Sequence, residues 1–369
     1  MSRLFASSSF FIFLTLVLAL AANAQSGRAK PSPTPEEPVK VATEEIKLNV
    51  LAFDKNGEFV SGVKAEDLVI TEDNILHQPS SVRRLPANVL IVMDTGGELH
   101  SVKTLEKTKK AAAGIVAALK PEDSVAIMQY SDKAEIVAEW TSDKPRLYAA
   151  IDRTGFGRRS AFVKALKLSK DFLSKSGLDN KHLVLITDGT DSFNDLASTQ
   201  RAMRGLLSSD ITVHVLSYTR MESNDIKPRT KAITNTPPPK ALPDEVVATL
   251  PNGVRQANQA PKIGPTINLD RKLLKTMRAR QADLEAAEEQ LSELAANSNG
   301  EIIIPIDTDE MIAKTGLIAR MIDSSYVVTY TPKIPVGETG TERNIIVTSK
   351  RDGLMVEARR KLIIENSRR

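Results

Sequence analysis

The chain has 369 residues, 41% hydrophobic and 26% charged, enough apolar mass for a sizeable core and for two domains. It contains no cysteine, which excludes disulfides, thiol catalysis, iron–sulfur clusters and cysteine zinc sites. A net charge of +4 with 4% aromatic residues argues against nucleic-acid binding, because base-stacking platforms are too few.

Residues 1–24 read as a cleaved signal peptide: a basic start, the apolar run Phe10 to Ala22, and the small-residue pattern Ala22-Asn23-Ala24. Cleavage makes Gln25 the first mature residue, leaves no stable membrane anchor, and sends the protein to a periplasm or the cell exterior. Residues 25–42 are rich in Pro and Ser and lack a hydrophobic period, as a disordered linker does. Residues 43–86 then alternate apolar and polar in "IKLNVLAFD" and "DLVITEDN", which predicts short strands too few to make a core alone.

Over residues 87–324 apolar strands alternate with helical stretches. The strands are 89–94, 124–130, 134–140, 182–188 and 211–218, with "EIIIPI" as a sixth. Helical spacing marks "TLEKTKKAAAGIVAALK", "SAFVKALKLSKDFLSK" and "DEMIAKTGLIARMID". Unbroken apolar runs between helices predict an α/β class fold, a doubly wound, mostly parallel six-stranded sheet covered on both faces.

Residues 221–267 are Pro-rich and aperiodic, which predicts a flexible insertion. From Arg220 to Arg280 there are 12 Lys and Arg against 5 Asp and Glu. A long helix over 268–298 follows, with Leu284, Ala287, Leu291 and Leu294 as its buried seam and Gly300 beyond its end. Its first half carries Arg271, Lys272, Lys275, Arg278 and Arg280, and its second Asp283, Glu285, Glu288, Glu289 and Glu293. This order opposes the helix dipole. Two readings stand, a solvated face or antiparallel docking on another copy.

Residues 325–365 give three alternating strands, the natural partners of the N-terminal ones. The expectation is a small β module built from both chain ends, with Ile46–Phe53 and Leu68–Glu72 in one sheet with Tyr326–Thr331 and Ile345–Ser349.

Asp94 ends the first strand of the α/β region and Asp188 the fourth. In a 3-2-1-4-5-6 order those strands are neighbours at the switch point, where ligands bind. Two converging carboxylates need a cation or a proton between them. A nucleotide is excluded, because "DTGGELHS" places Glu98 where a phosphate would sit.

At these residues the chain resembles the von Willebrand factor type A domain with its metal-ion-dependent adhesion site. The family's D-x-S-x-S stands here as Asp94-Thr95-Gly96-Gly97-Glu98, its Thr segment as Ser160 in "GRRSAFVKAL", and its Asp-Gly as Asp188-Gly189. The likeness covers about residues 88 to 325. The flanking strands also look like an exported bacterial subfamily described from Acidobacteria.

The resemblance implies a non-enzymatic binding or adhesion protein that meets a protein partner at the top of the sheet. It also implies a divalent cation, Mg²⁺ or Ca²⁺, on Asp94, Glu98, Ser160 and Asp188. Both metal-binding serines of the first motif are gone, so a vestigial site, with Asp94 and Asp188 capping helices or bracing loops, is the competing reading. Serine at positions 96 and 98 is expected to restore a family-type site.

A cell-envelope scaffold acting through the β module or the insertion is the alternative function. A serine hydrolase from Ser160, His100 and Asp188 is remote, since no G-x-S-x-G elbow exposes the serine. His214, flanked by Val213 and Val215 within a strand, reads as a core histidine.

Overall fold

A computed structural model describes residues 45–97, 103–175, 177–234, 266–267, 270–335 and 342–364. The expected signal peptide and linker, Glu98, His100 and residues 235–265 lie outside the described residues.

The N-terminal strands are β1 (Ile46–Phe53), β2 (Leu68–Glu72), β3 (Ile75–His77) and β4 (Ser81–Arg83). The α/β region contributes β5 (Asn88–Asp94), α1 (Leu105–Ala118), β6 (Ser124–Tyr130), β7 (Ala134–Thr141), α2 (Lys144–Asp152), α3 (Phe162–Lys175), β8 (Lys181–Thr187), α4 (Leu196–Leu207) and β9 (Ile211–Ser217). It continues with α5 (Thr219–Ile226), β10 (Ile233–Thr234), β11 (Thr266–Ile267), α6 (Arg271–Ser298), β12 (Ile302–Ile303), α7 (Thr308–Ala313) and α8 (Thr315–Asp323). The chain closes on β13 (Ser325–Tyr330), β14 (Glu342–Ser349), β15 (Met355–Ala358) and β16 (Lys361–Ile363).

Six strands form the central sheet in the order β12-β9-β8-β5-β6-β7, the doubly wound order expected, with β7 alone antiparallel to its neighbour. β5 lies at its centre, and Val89 through Met93 are fully buried because both faces of the strand are covered. Alternation splits them between two cores. Val89, Ile91 and Met93 pack on α1, α2 and α8 through Ala111, Ile115, Leu147 and Ile318. Leu90 and Val92 pack on α3, α4 and α6 through Phe162, Leu166, Met203 and Leu291.

Helices α2 and α4, not foreseen from periodicity, carry readable start signals. Asp143 and Asp195 accept hydrogen bonds from the backbone N–H of Arg146 and Ser198, and a proline opens α2. The aperiodic stretch after β9 is also ordered at its start: α5 buries Met221, Glu222 and Ile226. Only eight residues long, with a buried glutamate, that helix has too little apolar pattern to be seen in sequence. The long helix is capped by Asp270 and closes at Asn299, whose φ is 65°. Gly300 answers to space, since a Cβ there would lie 1.9 Å from the Val213 carbonyl oxygen.

The chain ends pair as expected, but in two sheets rather than one. β1 pairs with β13 in the sheet β15-β1-β13-β4, and β2 pairs with β14 in the sheet β16-β14-β2-β3. The physical reason is burial: β1, β2 and β14 alternate buried and more exposed residues and β13 is buried throughout, so one sheet would leave an apolar face wet. Facing one another, they share a core of Leu48, Val50, Leu68, Ile70, Val328 and Ile345.

The module is fastened to the α/β region through polar groups. Asn299 Nδ2 donates to the carbonyls of Asn49 and Glu357, Asn49 Nδ2 donates to Thr212 Oγ1, and the Arg359 guanidinium donates to the carbonyls of Leu207 and Ser209 at the end of α4. His214 is buried as expected. It accepts from the Glu301 N–H at Nδ1, stacks on His182, and lies 3.1 Å from it through Nε2. Burial holds its pKa down at about 3.

Arg343 ties the two ends inside the module. It is 1% exposed and donates to Glu72 Oε1 at 2.6 Å and to the Pro335 carbonyl at 2.7 Å. Replacement Arg343→Leu strands a buried carboxylate and is expected to cost about 3–5 kcal/mol in urea denaturation, with Glu72→Leu added recovering much of it. A loss below about 1 kcal/mol would mean the pair does not hold the ends together.

Candidate functional site

Strands β5 and β8 run parallel and adjacent, so the residues at their carboxyl ends meet. Asp94 and Asp188 do converge there, each 1% exposed. Between them stands a group that no motif announced. The Lys103 ammonium donates to Asp94 Oδ2 at 2.7 Å and to Asp188 Oδ2 at 2.7 Å, and Lys103 itself is 4% exposed.

Each carboxylate is satisfied on its other oxygen. Asp94 Oδ1 accepts from the Gly96 N–H at 3.0 Å and from Ser160 Oγ at 3.1 Å. Asp188 Oδ1 accepts from the N–H and the hydroxyl of Thr190 at 2.8 and 2.7 Å. The Asp-Gly turn needs its glycine twice over: Gly189 has φ 73°, and a Cβ there would press on Leu291 of α6 at 2.7 Å.

A second cation closes the cluster from α6. Arg280 Nη2 donates to Asp188 Oδ2 at 3.1 Å and to Glu222 Oε2 at 2.7 Å, while Nη1 donates to Thr190 Oγ1 at 2.7 Å. Three carboxylates and two cations are thus packed within one buried network. Part of the odd charge layout of the long helix is explained here, since one of its basic residues points into the site.

The electrostatics are asymmetric. Burial alone would raise the Asp188 carboxyl, but Lys103 and Arg280 together hold it far below the usual carboxylate range. Asp94 has one cation, and burial, with Asp188 beside it, pushes its pKa up against the pull of Lys103. Burial would neutralise Lys103, yet Asp188, Asp94 and Glu222 keep it firmly protonated. Glu222 is pushed up to about 7 by burial and by Asp188, against the opposing charges of Lys103 and Arg280.

These residues do not fit a divalent cation while Lys103 is in place. A hard cation needs carboxylate oxygens at about 2.0–2.6 Å, and the two oxygens facing the crevice already hold an ammonium. Of the four expected ligands, Asp94, Ser160 and Asp188 come together and Glu98 lies outside the described residues. Among the described residues no group of three or more His, Asp or Glu is disposed to hold a metal.

The expected restoration by serine fails at position 96. A Cβ on Gly96 would lie 2.0 Å from the Arg159 carbonyl oxygen and 2.9 Å from Ser131 Cα. Ser160 donates its hydroxyl hydrogen to Asp94 Oδ1, and His100, the expected third member of a triad, lies outside the described residues.

Two outcomes test this network. Lys103→Met leaves two carboxylates facing each other and is expected to cost about 3–5 kcal/mol near neutral pH, with Asp94→Asn in the same chain recovering part of it. Glu222→Gln reports on the raised carboxyl. A group with a raised folded pKa contributes stability that is present below its ordinary value and lost as pH rises. Wild-type stability should therefore fall between about pH 4.5 and 7 by up to about 1.4 kcal/mol per unit from this residue, and the Gln variant should lack that slope in denaturation measured across the range.

Residues 89–190 match the family profile of the von Willebrand factor type A domain. An uncharacterized protein of Synechocystis sp. is 30% identical over 142 residues, which are 37% of this chain and 33% of that protein.

Three solved structures resemble the chain in part. An aerotolerance-related membrane protein from Bacteroides fragilis is 17% identical, with a TM-score of 0.41, over 64% of this chain and 98% of the other. A von Willebrand factor type A protein from Catenulispora acidiphila is 10% identical, with a TM-score of 0.42, over 88% and 75%. A manganese-loaded TRAP protein from Plasmodium vivax is 11% identical, with a TM-score of 0.37, over 85% and 97%. The likenesses to solved structures are partial, and the assignment rests on the sequence match. The matched span takes in β5 to β8 of the central sheet together with Asp94, Ser160 and Asp188, and over that span the chain is similar to the von Willebrand factor type A domain.

Proposed function

We propose that the chain is an exported protein-binding module whose type A domain grips its partner without a metal ion. The observation that carries this reading is the Lys103 ammonium, 2.7 Å from both carboxylates, where a bridging cation would otherwise sit. A metal-dependent site of this kind works by offering unneutralised positive charge to an acidic group on the partner. Here the buried charges are consumed internally, and recognition falls to the loops around the sheet mouth.

Those loops support the reading. Phe156 and Phe193 are 51% and 41% exposed, and the Arg159 guanidinium and the Lys164 ammonium each stand 5.3 Å from the Phe193 ring. An aromatic platform rimmed by cations suits a partner segment that carries carboxylates beside apolar side chains. Export is supported by the N-terminal apolar run and its small-residue cleavage pattern.

The experiment is a thermal melt of the full chain with Mg²⁺, Ca²⁺, Mn²⁺ or chelator, followed by capture of partners from the native cell envelope with and without chelator. The expected result is one melting midpoint throughout and capture that chelator does not change. A midpoint that rises with any of the cations would overturn the metal-free reading. Phe193→Ala should reduce capture without moving the midpoint by more than a surface substitution does, about 0.5 kcal/mol in equivalent stability.

A further inference from the structure

Helix α6 has a second face that the site does not use. Its seam of Met277, Leu284, Ala287, Leu291 and Leu294 is buried against the body of the protein. On the opposite side, Arg271, Lys275, Arg278, Ala282, Glu285, Glu289 and Glu293 are all exposed. At 3.6 residues per turn these seven positions fall within an arc of about 80°, a single stripe along the helix. The stripe is basic in its first half, acidic in its second, and changes sign at Ala282.

The stripe is unfavourable for the helix that bears it. Cations at the N-terminal end and carboxylates at the C-terminal end both oppose the helix dipole. Arg271 and Lys275 are like charges four residues apart, as are Glu285 and Glu289, and Glu289 and Glu293, a spacing that repels. Among the described residues, Arg271, Lys275, Glu289 and Glu293 make no ion pair. Arg278 Nε reaches only the Thr230 carbonyl, and Glu285 accepts only from Gln281.

A two-fold axis through Ala282 removes every one of these conflicts. Laid antiparallel on a second α6, Arg271 meets Glu293, Lys275 meets Glu289, and Arg278 comes within one residue of Glu285. Each pairing occurs twice by symmetry. The antiparallel arrangement also sets the N-terminus of each helix beside the C-terminus of the other, so the two helix dipoles oppose side by side. Ala282 at the crossing point lets the helices approach closely.

We propose that this face of α6 is the contact between two copies of the chain, which form an antiparallel dimer held by complementary charge. The pattern is self-complementary, so a second copy satisfies it without invoking any other molecule. This contact is independent of how the sheet mouth binds its partner.

Sedimentation equilibrium of the full chain, at low and high salt and over a range of concentrations, tests the proposal. The wild type should show a monomer–dimer equilibrium that weakens at high salt. Reversing the acidic half with Glu285→Lys, Glu289→Lys and Glu293→Lys should weaken the dimer at least about tenfold, and so should reversing the basic half with Arg271→Glu, Lys275→Glu and Arg278→Glu. Mixing the two triple variants should restore association as a heterodimer. All six positions are exposed, and circular dichroism would verify that both variants remain folded. A wild type that stays monomeric to its solubility limit at low salt overturns the proposal. So does a dimer that both variants keep, or a mixture that fails to associate.

Discussion

Two carboxylates at the mouth of a parallel sheet repel one another, and the Lys103 ammonium is what allows β5 and β8 to end side by side. Each carboxylate alone would gain a proton on burial, and each cation would lose one. Arranged as a chain from Asp94 through Lys103, Asp188 and Arg280 to Glu222, the two cations keep their protons and Asp188 stays ionised, while burial still pushes the carboxyls of Asp94 and Glu222 up. The order is not symmetric. Asp188 collects two cations and two donors from Thr190, whereas Asp94 shares one cation, and this is why the first is the stronger acid.

This network joins segments far apart in sequence. Lys103 precedes α1, Ser160 precedes α3, Asp188 and Thr190 follow β8, Glu222 sits on α5 and Arg280 on α6. Each loop at the sheet mouth is thereby pinned to the next. Gly96 and Gly189 are required by the same packing, because a side chain at either would collide with the Arg159 carbonyl or with Leu291. A site of this kind resists rearrangement. Under the proposed function it would present a fixed surface instead of an exchangeable ligand.

Much of the fold was legible in the residues. Unbroken apolar runs marked five strands of the central sheet within one position and overran the sixth, which is only Ile302–Ile303, and the turn from helical to strand periodicity marked the doubly wound order. Two helices were missed whose caps, Asp143 and Asp195, were visible once sought. The β module was foreseen as a pairing of ends but not as two facing sheets. Alternation says which side of a strand is apolar, and says nothing about which apolar side it will meet.

For the site, sequence alone determined the meeting of Asp94 and Asp188, because strand order follows from the pattern of runs and helices and carboxyl ends share one edge of a parallel sheet. It also singled out Ser160 and the dipole-opposing charges of α6, which it left open between a solvated face and docking on another copy. Only the tertiary structure decided what sits between the carboxylates. A buried lysine and a solvated lysine are the same letter, and the four methylenes of Lys103 carry its charge well away from its own backbone. Whether that charge ends in water or between two aspartates depends on the distances among β5, β8 and α6, which are set by packing of the whole domain and by no local pattern.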